Sequence, residues 1–275
     1  MNFSTAPKLT LAHSTILETP PIELATLAST IGYTSIDLRL HPSFPGSTYY
    51  PLGTDSVASR QMASHLRNEG IGVNSIESLG IGRNFDTSEA FPLLEAAYAL
   101  DAKSLTVFGD DPDAFRLTEN FARVCEMALP LGLNIALQFM AWRQIASFDD
   151  ALDIVMAAGQ SNGSVLVDAL HLWRSGGCAL DLCAAPPGSI RAAQLCDAGP
   201  IAPASMHARI TENRSGRLTP GKGTLPLKDL LAELPEATTI SLAVPMTGFN
   251  DPERHARNVF ESTQQLIEAT MEAVR

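Results

Sequence analysis

Short apolar runs rich in Val, Ile, Leu and Ala recur along this chain, and most are followed by a stretch whose apolar residues return every three or four positions. The runs cover residues 9–13, 35–39, 72–77, 104–108, 134–139, 164–168, 191–195 and 240–244. Near-continuous apolar runs belong to strands buried on both faces, and helices between them supply the covering layer, so the pattern predicts a parallel sheet of βα units. Eight such strands, with no linker-like gap between them, predict one domain over residues 1–275, closed as a (β/α)8 TIM barrel. An open doubly wound sheet is the alternative, but Gly80-Ile81-Gly82 lacks the spacing of a phosphate-binding fingerprint and reads as a loop.

Helical periodicity covers residues 22–30, 55–67, 89–99, 114–129, 148–158 and 227–234, and a long stretch from Pro252. Asp55 and Ser147 stand just ahead of their periodic segments, as N-caps do. The sixth helix is the weak element, because residues 178–184 are few and run into Pro186-Pro187. After strand seven, residues 200–223 form a Pro/Gly-rich excursion of the kind that carries function.

Charge narrows the partners. A net charge of −11 without a Lys/Arg block would repel nucleic acid and anionic membrane surfaces. Residues 1–10 are polar and no apolar stretch approaches the roughly 18 residues of a membrane span, so a soluble cytoplasmic protein with a small-molecule substrate is expected. Cys125, Cys178, Cys183 and Cys196 lack metal-ligand spacing and read as reduced, mostly buried thiols. The long loops are compatible with a homodimer.

In such a barrel, side chains at the C-terminal ends of the strands face one mouth, and here those positions are polar: Gln138, Asp168 with His171, Gln194 and Asp197. Asp168 and His171 can supply an oxygen and a nitrogen ligand or an acid/base pair; equally, Asp168 can cap the following turn and His171 can be a hydrogen-bonded surface residue. His13, Arg39, Glu77, Trp142, Arg143 and Trp173 are further candidates, although Arg39 and Glu77 also read as a rim ion pair and the tryptophans as packing under loops. Tyr49 and Tyr50 lie in a loop long enough to cover the mouth.

The run from Val165 through Asp168, His171 and Trp173 to Gly177 resembles the strand-six signature of the sugar phosphate isomerase/epimerase family, within the xylose isomerase-like TIM barrel superfamily. Ala136–Met140, Ala193–Ala198 and the Arg217 to Leu227 segment, with its Pro-Gly-Lys-Gly, resemble it in the same order. The resemblance implies a divalent metal (Mn, Mg or Zn) held by a Glu on strand five, Asp168, Gln194 and a Glu on strand eight. It also implies a substrate contact for His171 and for Arg217. At the two glutamate positions this chain has Gln138 and Ala243, so the implied site has lost two negative charges, and Asp168 with Gln194 would hold a metal only weakly.

The expected activity is isomerisation, epimerisation or dehydration of a small polyhydroxy or keto compound. His171, Asp168 or Glu77 would be the base; Arg217 and Arg143 would orient an anionic group; Gln138, His13 and Trp173 would contact substrate. A non-catalytic ligand-binding or regulatory barrel is the alternative that the missing glutamates motivate. A related DNA-repair nuclease would need three metals and a basic face, which the acidic composition disfavours.

Overall fold

The computed structural model describes residues 7–53, 56–248 and 251–273. Eight parallel strands close in sequence order, β1 (Leu9–Leu11), β2 (Ser35–Arg39), β3 (Gly72–Gly82), β4 (Ser104–Asp110), β5 (Asn134–Gln138), β6 (Gly163–Asp168), β7 (Ile190–Leu195) and β8 (Thr239–Leu242). Leu9 pairs with Ile240 and Leu11 with Leu242, so β1 meets β8 and the open-sheet alternative is excluded. The covering helices are α1 (Pro21–Ile31), α2 (Val57–Glu69), α3 (Phe91–Ala99), α4 (Ala114–Ala128), α5 (Phe148–Ala158), α6 (Ala169–Arg174), α7 (Met206–Thr211), α8 (Leu227–Glu233) and α9 (Pro252–Ala273). Their apolar stripes, such as Leu117, Phe121, Val124 and Ala128 of α4, are buried against the strands.

Ser147 caps α5 as expected, its hydroxyl accepting from the Asp150 N–H. Asp55 lies outside the described residues; Ser56 is the residue that caps α2, accepting from the Ser59 N–H at 3.0 Å.

The structure corrects several boundaries. Gly80-Ile81-Gly82 is strand rather than loop, because β3 continues past Glu77 and pairs with β4 as far as Gly82 with Asp110. A Cβ on Gly80 would stand 2.8 Å from the Phe108 ring, so the glycine admits a close packing partner and does not mark a turn. β1 stops at Leu11, and His13 opens a 3₁₀ turn, His13–Ile16. The sixth helix is Ala169–Arg174, immediately after β6, while Ala179–Ala184 is a 3₁₀ segment. The cysteines divide evenly: Cys125 and Cys196 are buried, Cys178 and Cys183 exposed, and all four are free.

Candidate functional site at the barrel mouth

A cavity of about 350 Å³ opens at the C-terminal ends of the strands. Its polar lining includes Arg39, Glu77, Gln138, His171, Gln194 and Arg217; Phe44, Phe108, Met140, Trp142 and Met246 supply apolar wall. Such a mixture, mostly apolar with a few convergent polar groups, is what a small-ligand site offers.

Four side chains from β2, β3, β5 and β7 form one chain of bonds along this lining. Arg39 Nη2 donates to Glu77 Oε2 at 2.8 Å. Gln194 Nε2 donates to Glu77 Oε1 at 3.2 Å, and Gln138 Nε2 donates to Gln194 Oε1 at 3.1 Å. Because a carboxylate only accepts, Glu77 fixes the orientation of Gln194, and Gln194 in turn fixes that of Gln138. The ion pair foreseen for Arg39 and Glu77 is therefore part of the cavity lining.

A second cluster centres on Arg217. Its Nη1 lies 2.8 Å from Asp168 Oδ2, 3.3 Å from Cys196 Sγ and 3.4 Å from the Ala243 carbonyl oxygen. Nη2 lies 3.5 Å from His171 Nε2 and also donates to Asn213 Oδ1, while Nε donates to the Asn213 carbonyl at 3.1 Å. Asp168 Oδ1 accepts from the His171 backbone N–H at 3.1 Å, which caps α6. Thus Asp168 does cap the following turn, but His171 is buried rather than at the surface.

Burial opposes the charge on Asp168, but Arg217 and then His171 outweigh it, so its pKa lies below the ordinary carboxylate value. Burial pushes His171 down to about 4, against the partial pull of Asp168, so the imidazole is neutral. Arg217 donates but cannot accept, so Nε2 of His171 is the acceptor and Nδ1 carries the proton. That Nδ1 is buried and has no partner among the described residues. Burial also holds Cys196 as a thiol, its pKa pushed up to about 12.

Nearer the opening, Arg143 pairs with Asp110 and stacks over the Phe108 ring at 4.4 Å. Arg214 stacks over Phe44 at 3.6 Å and has no ion-pair partner among the described residues. Burial lowers its pKa, and the positive charge of Arg143 lowers it further. Arg214 was not singled out from sequence; the available signal was a cationic residue inside the excursion after strand seven.

The other candidates fall elsewhere. His13 is fully buried, accepting from the Arg39 N–H at Nδ1 (3.1 Å) and donating from Nε2 to the Thr19 carbonyl (2.9 Å), and it is not part of the cavity lining. Trp173 packs against the core outside that lining, whereas Trp142 lines the cavity edge-on to His171, with ring centres 5.0 Å apart. Tyr50 stacks on His13 at 5.2 Å. Asp197 accepts from the N–H groups of Ala198, Gly221 and Leu225, and so clamps the loop that follows Arg217.

A family profile described as "Xylose isomerase-like TIM barrel" matches residues 25–266. The chain belongs to this family. Among solved structures, it superposes on a xylose isomerase-like TIM barrel/4-hydroxyphenylpyruvate dioxygenase fusion protein with a TM-score of 0.81 at 18% identity, covering 97% of this chain. This chain spans 43% of that fusion protein's length. An IolI protein, described with a bound zinc atom, matches with a TM-score of 0.79 at 18% identity over 96% of this chain and 99% of its own. A xylose isomerase domain protein from Alicyclobacillus acidocaldarius matches with a TM-score of 0.74 at 21% identity, over 96% and 99% of the two chains. At these identities the likeness is one of fold. No curated protein matches the sequence.

The divalent metal that the sequence resemblance implies would meet a donor set already engaged within the protein. Both Asp168 oxygens are engaged, one by Arg217; Gln138 and Gln194 bond to each other; Ala243 offers a methyl. Among the described residues no group of three or more His, Cys, Asp and Glu side chains is arranged to hold a metal ion. These residues do not fit a hard dication, which needs several oxygen donors and negative charge.

Proposed function

We propose that this barrel is a proton-transfer enzyme acting on a small polyhydroxy or keto compound with an acidic substituent, by isomerisation, epimerisation or dehydration. The observation that carries the reading is the Glu77 carboxylate, which lines the cavity while held between Arg39 and Gln194. A positioned carboxylate beside a cation can take the proton from a carbon next to a carbonyl, and the guanidinium and amide N–H groups can stabilise the resulting enolate oxygen.

In this reading Gln138 and Gln194 orient hydroxyl groups, and Arg143 and Arg214 attract the acidic substituent. Asp168 acts indirectly, by holding Arg217 and the start of α6 in place.

Incubating the protein in D2O with a panel of hydroxy-ketones, keto acids and sugar phosphates tests this by following deuterium entry with mass spectrometry. Exchange into one class of compound is expected, and Glu77→Gln is expected to slow it by about 10²–10⁴-fold. Tight ligand binding with no exchange in any compound would instead establish the non-catalytic binding barrel.

A further inference from the structure

We infer that the guanidinium of Arg217 is the resident cation of this barrel, held between the ends of β6, β7 and β8, and that by claiming Asp168 it keeps a divalent metal from binding there.

Contacts from three consecutive strand ends converge on one nitrogen: Asp168 from β6, Cys196 just after β7 and the Ala243 carbonyl just after β8 all lie within 3.4 Å of Nη1. The other edge of the guanidinium is closed by His171 and Asn213. Nε is spent on the Asn213 carbonyl, so the N–H groups are engaged within the protein and the arginine behaves as a fixed charge rather than as a free hand for substrate.

The charge arithmetic is local. One guanidinium meets one buried carboxylate, and their side chains are 5% and 0% exposed. A dication approaching Asp168 would have to displace Arg217 and leave it buried without its counter-ion, which is the costly way to break such a pair. Ala243 adds no second carboxylate to compete for the arginine.

The placement is also built in from outside the cluster. Leu218, the residue after Arg217, exchanges two backbone hydrogen bonds with Asp197, at 2.7 and 2.8 Å. Gly223 lies so close that a Cβ there would stand 2.3 Å from the Ala198 carbonyl and from Asp197 Oδ1. The loop can therefore deliver its arginine in one register only. This inference stands whether or not Glu77 moves a proton, because its test reads metal and not turnover.

The test compares manganese uptake by full-length wild type, the double variant Gln138→Glu/Ala243→Glu, and the same double variant with Arg217→Met, using elemental analysis after dialysis and melting temperature against added Mn2+. Wild type and the double variant are expected to retain no manganese and show no shift. The triple variant is expected to take up about one ion per chain and to melt higher as Mn2+ increases, by mass action. Stoichiometric metal in wild type would overturn the inference, as would manganese binding by the double variant as tight as that of the triple, or a folded triple variant that binds none. Should the triple variant fail to fold, the double variant decides alone: with Arg217 in place, a folded, manganese-free protein upholds the inference and any stoichiometric uptake refutes it.

Discussion

Two buried aspartates in the barrel meet the cost of burial in opposite ways. Asp168 keeps its charge because Arg217 lies 2.8 Å away. Asp37 accepts from Asn74 Nδ2 at 2.8 Å but has no ion-pair partner among the described residues, and burial, reinforced by the negative charge of Glu77, raises its pKa to about 7. With the folded pKa above the unfolded one, the native state binds the extra proton between about pH 4 and 7, and the contribution of Asp37 to stability falls as pH rises through that window. His13 acts in the opposite sense: burial lowers its pKa from 6.5 to about 4, so its contribution is complete above pH 6.5 and declines as pH falls toward 4. The two slopes oppose each other in wild type, and only a difference measurement separates them. The stability of Asp37→Asn relative to wild type, from urea unfolding at several pH values, is expected to increase from pH 4 to pH 7 and then level off.

At the scale of the element, the segment from Asp197 to Leu225 positions the cluster. Asp197 stands among the polar strand-end residues, yet its carboxylate accepts three backbone N–H groups, at 2.8, 3.0 and 3.0 Å, and serves as the acceptor that a turn without regular pairing needs. Asp197→Ala is expected to cost about 3 kcal/mol or more, since hydrogen bonds to a charged group are the strong ones. Hydrogen exchange should show faster exchange of the Leu218, Gly221 and Leu225 amides while the strand amides stay protected. Equal protection in the variant would mean that the loop is held by something other than this carboxylate.

For the whole molecule, closure is the decisive event, and the closing strands are the shortest, with three residues in β1 and four in β8. Thr15 extends the seam past the strand ends. Its hydroxyl donates to the Leu242 carbonyl at 2.7 Å and accepts from the Val244 N–H at 3.1 Å. Thr15→Val keeps the shape and leaves a buried N–H without an acceptor, for an expected loss of about 1–3 kcal/mol. The urea midpoint should fall with an unchanged slope, because the surface exposed on unfolding is the same. A changed slope would show that the seam opens separately from the rest.

The order of local patterns carried the barrel: apolar runs alternating with helical periods are set by residues close together in the chain, and they located all eight strands, although β3 runs five residues beyond its expected end. Gly80 was misread because the ring that demands it, Phe108, belongs to the neighbouring strand. The Asp168 cap was legible as one of two readings, being a contact between residues three apart. Local pattern therefore names the residues at the strand ends. Their pairing, Arg217 with Asp168 49 positions away and Glu77 with Gln194 117 positions away, comes from the closed barrel. Contacts of that separation exist only once the barrel has closed, so no local pattern encodes them.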